Sequence, residues 1–165
     1  MNNELHNFDE LYQTYKDMVF RLCYLYLRNS SDAEDAVQSV FLKSIISNVA
    51  SYTDSNYQKA WFITTSKNLC KNILKNWWRR RRVVMEDLPE TPIWDSRKEQ
   101  SEILEKLLSL PEKYKTVMYL YYFEEYTINE ISDILKRKKS TIQTQLARGR
   151  DRLKVNLGGQ YIGQQ

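Results

Sequence analysis

The chain is poor in glycine, histidine, cysteine and long apolar runs, and each shortage excludes something. Of its four glycines only Gly149 precedes Gly158. Sandwiches need glycine turns and nucleotide-binding α/β folds need glycine-rich phosphate loops, so their lack points to an all-α protein. His6 is the only histidine, so no Ser/His/Asp or Cys/His constellation and no histidine-rich metal site can be assembled. No metal ion or other cofactor is expected. Cys23 and Cys70 lack metal-ligand spacing and sit inside apolar helical patterns, which predicts two buried free thiols in a reducing compartment. No apolar run reaches membrane-spanning length, and the opening MNNELHNFDE has no signal-peptide character, so a cytoplasmic protein is expected.

What is present is charge, and it is segregated. Residues 1–60 hold five basic and eight acidic side chains, net −3. Residues 61–85 hold seven basic and none acidic, net +7. Residues 86–105 hold two basic and seven acidic, net −5, and residues 106–165 hold eleven and six, net +5. Two basic blocks separated by an acidic one mark two places where a polyanion could bind.

The central block, residues 61–82, carries Phe62, Leu69, Ile73 and Trp77 at helical spacing, with Ile63, Cys70 and Leu74 beside them. Lys67, Lys71, Lys75 and Arg79 form a stripe on another face. Thr64, Thr65, Ser66, Asn68, Asn72 and Asn76 lie between the lysines, and short polar side chains suit phosphates and base edges better than lipid. An ordinary amphipathic core helix with a solvated basic side reads equally well from this stretch alone.

Before it, the apolar stripe from Phe8 to Tyr26 predicts a helix ending at Asn29-Ser30. Ser31 and Glu34 form a capping-box pattern for a second helix with Ala33, Ala36, Val37, Val40, Phe41 and Ile45 on its buried face. Asp32 and Glu34 suit its N-terminus, while Asp35 and Gln38 project elsewhere as candidate partner contacts. Residues 47–58 read as a loop.

Pro89 and Pro92 mark an acidic linker over residues 85–99, and the tail 158–165 reads as disordered. The chain thus divides into two small helical domains, residues 1–84 and 100–157, joined by that linker. In the second domain Ile103, Leu104, Leu107 and Leu108 predict a short helix. Ser109 and Glu112 form a capping pattern around Pro111, and Val117, Met118, Leu120, Tyr121 and Tyr122 supply a buried segment. Thr127 and Glu130 cap a helix carrying Ile128, Ile131, Ile134 and Leu135. After Lys136, Arg137, Lys138 and Lys139, Ser140 and Gln143 cap a last helix with Ile142, Leu146, Gly149 and Leu153 inward.

A short capped helix, a tight polar turn and a longer helix make a helix-turn-helix. The outward positions are read as Thr141, Thr144, Gln145 and Arg148, whose hydroxyl, amide and guanidinium groups suit base-edge readout in a major groove. Lys136, Lys138, Lys139 and Arg152 flank them, placed for phosphates.

The segments DAEDAVQSVFLK (residues 32–43), AWFITTSKNLCKNILK (60–75) and LPEKYKTVMYLYYFEEYTINEISDIL (110–135), with the helix that follows, resemble in order the bacterial RNA polymerase sigma factors of the two-domain, extracytoplasmic-function type. The resemblance runs from about Phe8 to Leu157. It implies that Asp35, Gln38 and Leu42 dock on the clamp of the polymerase β′ subunit. It implies that residues 47–58 and the next helix take the minus-ten element. Asn48, Tyr52, Asn56 and Tyr57 would form a pocket for an unstacked base beside Trp61, and Lys67, Asn68, Lys71 and Lys75 would hold the adjacent strand. The helix-turn-helix would read the minus-thirty-five element through Lys136, Lys138, Lys139, Ser140, Thr141, Thr144, Gln145, Arg148 and Arg152. The implied partners are core RNA polymerase, including its β subunit, and promoter DNA, commonly with an anti-sigma protein. The sequence departs from the family pattern at Lys136 and Arg137, where a glycine and an apolar residue are usual, and at Gln143 and Gln145, where basic residues are usual. These departures imply an unusual or relaxed promoter sequence.

The expected function is a non-enzymatic transcription initiation factor. A free-standing dimeric helix-turn-helix regulator is the alternative, and it predicts a symmetric dimer on a palindromic site. A nucleic-acid enzyme would need a metal-binding carboxylate cluster or a supported nucleophile, and no such set is visible. A membrane-surface role for Trp77, Trp78 and Arg79 to Arg82 is a further reading of the same basic block.

Overall fold

The computed structural model describes residues 2–80 and 98–156, and its side chains within residues 3–80 and 102–154. The expected linker residues 85–97 and the tail 158–165 lie outside the described residues, as do Arg81 and Arg82. The chain separates into two compact units that divide between Ile93 and Trp94. The described residues are helical, with no strand among them.

The first unit holds α1 (Asn2–Leu27), α2 (Ser30–Ile46) and α3 (Ser55–Arg80). Its core is aromatic and shared by all three helices. Phe41 of α2 meets Tyr12 of α1 at 4.8 Å and Phe62 of α3 at 5.0 Å between ring centroids, and Tyr15 stacks on Phe62 at 4.9 Å. Leu22, Leu25, Phe62 and Ile63 are wholly buried around them. Removing a buried Phe ring costs about 3–5 kcal/mol, so Phe41 and Phe62 each contribute substantially to the stability of the unit.

The turn from α1 to α2 is only two residues long. Arg28 takes the left-handed conformation at φ 59°, and its N–H donates to the Tyr24 carbonyl. The cap of α2 differs from the Ser31–Glu34 expectation. Asn29 is the N-cap, its Oδ1 accepting from the Asp32 N–H at 2.9 Å, so Ser31 already lies inside the helix. An Asn side chain at the point of chain reversal reaches the orphan N–H groups before any later hydroxyl can. Ile45 also departs from expectation: it is 55% exposed, and Ser44 takes the inward position. The Ser44 hydroxyl donates to the Phe41 carbonyl at 2.6 Å, which lets a polar residue sit in the seam.

The loop expected over residues 47–58 is shorter. A 3-10 turn covers Val49–Ser51, and α3 begins at Ser55. Asp54 starts it, its Oδ1 accepting from the Asn56 N–H and its carbonyl from the Gln58 N–H. The inward seam of α3 is Phe62, Ile63, Ser66 and Cys70, while Leu69, Ile73, Leu74 and Trp77 are half-buried. The Ser66 hydroxyl is buried with no hydrogen-bond partner.

The second unit holds α4 (Lys98–Leu108), α5 (Glu112–Tyr122), α6 (Ile128–Leu135) and α7 (Lys139–Asn156). α4 starts two residues inside the expected linker. Leu104, Leu107, Leu110, Val117, Met118, Tyr119, Leu120, Ile131, Leu135, Ile142, Leu146 and Leu153 fill its core. Tyr121 and Tyr122, expected in that core, are only half-buried, and Tyr119 is wholly enclosed instead. Ser109 does not cap α5. Its hydroxyl turns back to the Lys106 carbonyl at 2.8 Å, and Pro111 stands at the N-cap, where its carbonyl accepts from the Tyr114 and Lys115 N–H groups. The Thr127–Glu130 capping box is present in both directions. α5 and α7 approach closely at Gly149. A Cβ there would lie 2.9 Å from Met118 Cγ, and this is why the helix tolerates a glycine at that point.

Candidate nucleic-acid interface

Asp35, Gln38 and Leu42 recur at i, i+3 and i+7 on α2 and are all exposed, on the side away from Ala36, Val37 and Val40. The face continues to Ile45 and Ile46, so that three aliphatic side chains stand in water together: Leu42 62%, Ile45 55% and Ile46 84% exposed. Contiguous exposed apolar side chains on a helix mark an interaction surface. Sequence reading missed the two isoleucines. The available signal was that the seam already had a full set of inward residues, leaving no slot for either.

The residues expected to hold an unstacked base sit on the loop and the first turns of α3. Gln58 organises them. Its Nε2 donates to the Tyr52 carbonyl at 2.8 Å and to the Val49 carbonyl at 3.5 Å, while its Oε1 accepts from the Tyr15 hydroxyl at 3.3 Å. The same hydroxyl also lies 3.1 Å from the Ser55 carbonyl, and burial pushes its pKa up from the usual phenol value. Tyr52, pinned in this way, packs edge-to-face on Tyr57 at 4.9 Å. Tyr57 is 58% exposed, and Trp61, one turn further on, is half-buried with its ring edge-on to Phe62 at 5.2 Å. The structure therefore brings Tyr52, Tyr57 and Trp61 to one end of α3. Asn48, left-handed at φ 51°, and Asn56 are both exposed on the same loop and first turn.

Tyr57, Trp61, Asn68, Lys71 and Lys75 fall along one outward stripe of α3, about 27 Å from end to end at 1.5 Å per residue. Lys67 lies round on the neighbouring flank and is half-buried. Arg79 continues the stripe, and Trp78 beside it is 63% exposed. Aromatic rings at one end and cations along the rest are what a single-stranded backbone with one base turned out requires.

In the second unit, α6, the turn and α7 form the expected helix-turn-helix. Lys136 is left-handed, φ 56° and ψ 45°, and the N–H groups of both Lys136 and Arg137 donate to the Ser132 carbonyl. The position that usually holds glycine thus keeps a glycine-type geometry with a lysine in it. α7 begins at Lys139, and the Ile142 N–H donates to the Lys138 carbonyl. Ser140 consequently lies within the first turn instead of capping it. Lys136, Lys138, Lys139, Ser140, Thr141, Thr144, Arg148 and Arg152 are all exposed. Gln145 is half-buried, its Oε1 accepting from Arg137 Nη1 at 3.0 Å. The Arg152 guanidinium lies 5.1 Å from the centre of the Tyr114 ring, and Arg150 donates to the Tyr122 hydroxyl at 3.0 Å.

Among the described residues no cluster of His, Cys, Asp and Glu could hold a metal ion, and no helix is long and apolar enough to cross a membrane.

Comparison with known proteins bears on both units. Residues 11–82 match the model of sigma-70 region 2, and residues 100–153 match that of sigma-70 region 4. The extracytoplasmic-function RNA polymerase sigma factor SigW of Bacillus subtilis (strain 168) is 29% identical, over 91% of this chain and 88% of that protein. The corresponding factor SigE of Mycolicibacterium smegmatis is also 29% identical, over 90% of this chain and 60% of that protein. Among solved structures, the sigma factor RpoE crystallised with the anti-sigma factor NepR from Bartonella quintana is similar in fold, with a TM-score of 0.76 at 18% identity, covering 93% of this chain and 98% of that one.

Proposed function

This chain belongs to the sigma-70 family, as a two-domain RNA polymerase sigma factor of the extracytoplasmic-function type, and on that premise we propose how its surfaces divide the work. The protein is a transcription initiation factor that binds core RNA polymerase and directs it to specific promoters. The matches cover both units, which does not favour a free-standing regulator using the second unit alone.

Residues 1–84 carry polymerase docking and minus-ten recognition, residues 85–99 connect, and residues 100–157 read the minus-thirty-five element. Asp35, Gln38 and Leu42 contact the β′ clamp, with Ile45 and Ile46 as the apolar floor of that contact. Each aliphatic side chain fully buried there contributes about 1.5–3 kcal/mol. Asn48, Tyr52, Asn56, Tyr57 and Trp61 receive an unstacked base. Extruding a base costs a few kcal/mol, which ring stacking of about 1–3 kcal/mol per base and the adjoining cations offset. Lys67, Asn68, Lys71 and Lys75 hold the strand beside it. Lys136, Lys138, Lys139 and Arg152 grip phosphates around the upstream duplex, where Ser140, Thr141, Thr144, Gln145 and Arg148 line the surface of the helix-turn-helix.

The protein acts without chemistry of its own, as a specificity subunit in the cytoplasm. RpoE, its relative in fold, is held by an anti-sigma factor. A comparable partner here would compete with polymerase for the Leu42, Ile45 and Ile46 face.

The observation that carries this reading is the coincidence on α3 of an aromatic end and an acid-free cationic stripe, within the stretch that matches region 2. Reconstitution with core polymerase tests it. The holoenzyme should form and initiate at a defined start on at least one promoter drawn from a genomic library. A chain that neither binds core nor yields a promoter-dependent transcript would refute it.

A further inference from the structure

Two contacts fix how α1 and α3 lie against each other. Tyr15 of α1 stacks on Phe62 of α3, with ring centroids 4.9 Å apart. Eight residues later on each helix, the Cys70 thiol is hydrogen-bonded with Cys23. Equal spacing on both helices means that they run parallel and in register, over about 12 Å at 1.5 Å per residue. Val19 and Ser66 fall halfway between the two contacts, and Val19, Cys23, Ser66 and Cys70 are all buried. These side chains are small, so nothing bulky holds the helices apart at this level. The Ser66 hydroxyl has no hydrogen-bond partner, so no bond there resists a small adjustment of the seam. Facing Cα atoms on packed helices come within about 4–6 Å, the span that a disulfide bridges. Both thiols are free, and none of the surfaces assigned to polymerase or DNA uses them.

We propose that Cys23 and Cys70 are a modification site, which a hydroperoxide oxidises to a disulfide that staples α1 to α3 and stabilises the first unit without disturbing its outer surfaces. The step balances with hydrogen peroxide as the oxidant. One sulfur, as thiolate, attacks a peroxide oxygen. The O–O bond breaks, and the departing hydroxide takes up the thiol proton as water, leaving a sulfenic acid. The second sulfur then displaces that oxygen. The S–O bond breaks, the S–S bond forms, and a second water carries away the remaining proton. Two electrons pass from the sulfur pair to the peroxide. Thiols and disulfide are alike uncharged, so the product leaves no unpaired charge in the core. The reaction is slow while the helices stay packed, because the attacking form is the thiolate, and the hydrogen bond to Cys23 and then burial hold the proton on Cys70. The closed loop contains all of α2, and a cross-link stabilises more as the loop it closes lengthens. Trp61, Asn68 and Lys75 stand about 140–180° round α3 from Cys70, so the staple pulls on the opposite side from theirs.

The test treats the full, folded chain with hydrogen peroxide and then alkylates it in denaturant. Reduced wild type should take up two alkyl groups and the oxidised chain none, with a single peptide cross-link joining Cys23 to Cys70 in a monomer. The oxidised chain should unfold at a urea concentration higher by about 1 M or more, and a thiol reductant should restore the original midpoint. Cys70→Ala should show neither the cross-link nor the shift. With core polymerase, oxidised and reduced wild type should initiate at the same rate. Two thiols still free after prolonged oxidation, links between chains, a lowered midpoint, or transcription lost on oxidation and regained on reduction would each overturn the proposal. The mass and unfolding measurements stand apart from the sigma reading, which fails separately if the reduced wild type supports no promoter-dependent transcript.

Discussion

The Tyr15 hydroxyl, on the first helix, donates to the Gln58 side-chain carbonyl at 3.3 Å, and through that amide the buried core of the first unit holds the exposed loop that carries Tyr52. One amide thereby uses both its ends: oxygen to the core, nitrogen to the loop. The aromatic end of α3 is rigid to the extent that this link is intact.

Gln58→Ala removes the link. Each hydrogen bond removed is worth about 0.5–1.5 kcal/mol, so the fold survives, but Tyr52 is released from Tyr57. Open-complex formation should fall several-fold at unchanged affinity for core polymerase. Permanganate reactivity of unpaired thymines and a core-binding titration would check the two halves. Equal loss of both would mean that Gln58 serves the fold alone.

Lys67, Lys71 and Lys75 should act through phosphates. Replacing each by alanine should lower the slope of log binding against log salt by about 0.7–0.9 for every phosphate no longer neutralised, in promoter complexes of the holoenzyme. A slope that does not move would take these lysines off the DNA path.

Lys136 occupies a left-handed backbone position that costs an L-residue about 1–2 kcal/mol. Lys136→Gly should therefore raise the stability of the second unit by about 1 kcal/mol in urea unfolding followed at that unit. It should also weaken upstream binding on all sequences alike, because the cation is removed without any base contact. A destabilised Lys136→Gly protein would show that the lysine side chain contributes more than its backbone costs.

Cys70 gives a pH signature. Its hydrogen bond with Cys23, and then burial, push its thiol well above the ordinary range. The folded chain keeps this proton where the unfolded chain releases it. The stabilising contribution is thus complete below the ordinary thiol pKa of about 8.5 and shrinks as pH rises past it, by up to about 1.4 kcal/mol per pH unit. Urea unfolding between about pH 7.5 and pH 9.5 should show this decline, and Cys70→Ala should flatten it. An identical decline in the variant would assign it to other groups.

Much of this architecture could be read without coordinates, and the failures are local. Apolar periodicity placed all the long helices, because a helix that must bury one face announces it every three or four residues. The Thr127–Glu130 box was legible because both members are next to the same turn. Ser31, Ser109 and Ser140 misled because a capping pattern states only which side chains could reach, while the reversal point is chosen by tertiary contacts. Asn29, Pro111 and Lys138 took those places. On α7, Gln145, expected outward, is half-buried instead. The Arg137 contact that turns Gln145 aside joins two elements, and no pattern along a single helix contains it.

Leu42, Ile45 and Ile46, bare on one helix, make the chain's own abundance a physical variable. Aliphatic side chains in water drive molecules together whenever nothing else covers them. Copies made beyond what larger assemblies can absorb will therefore adhere to one another or to whatever grease they meet.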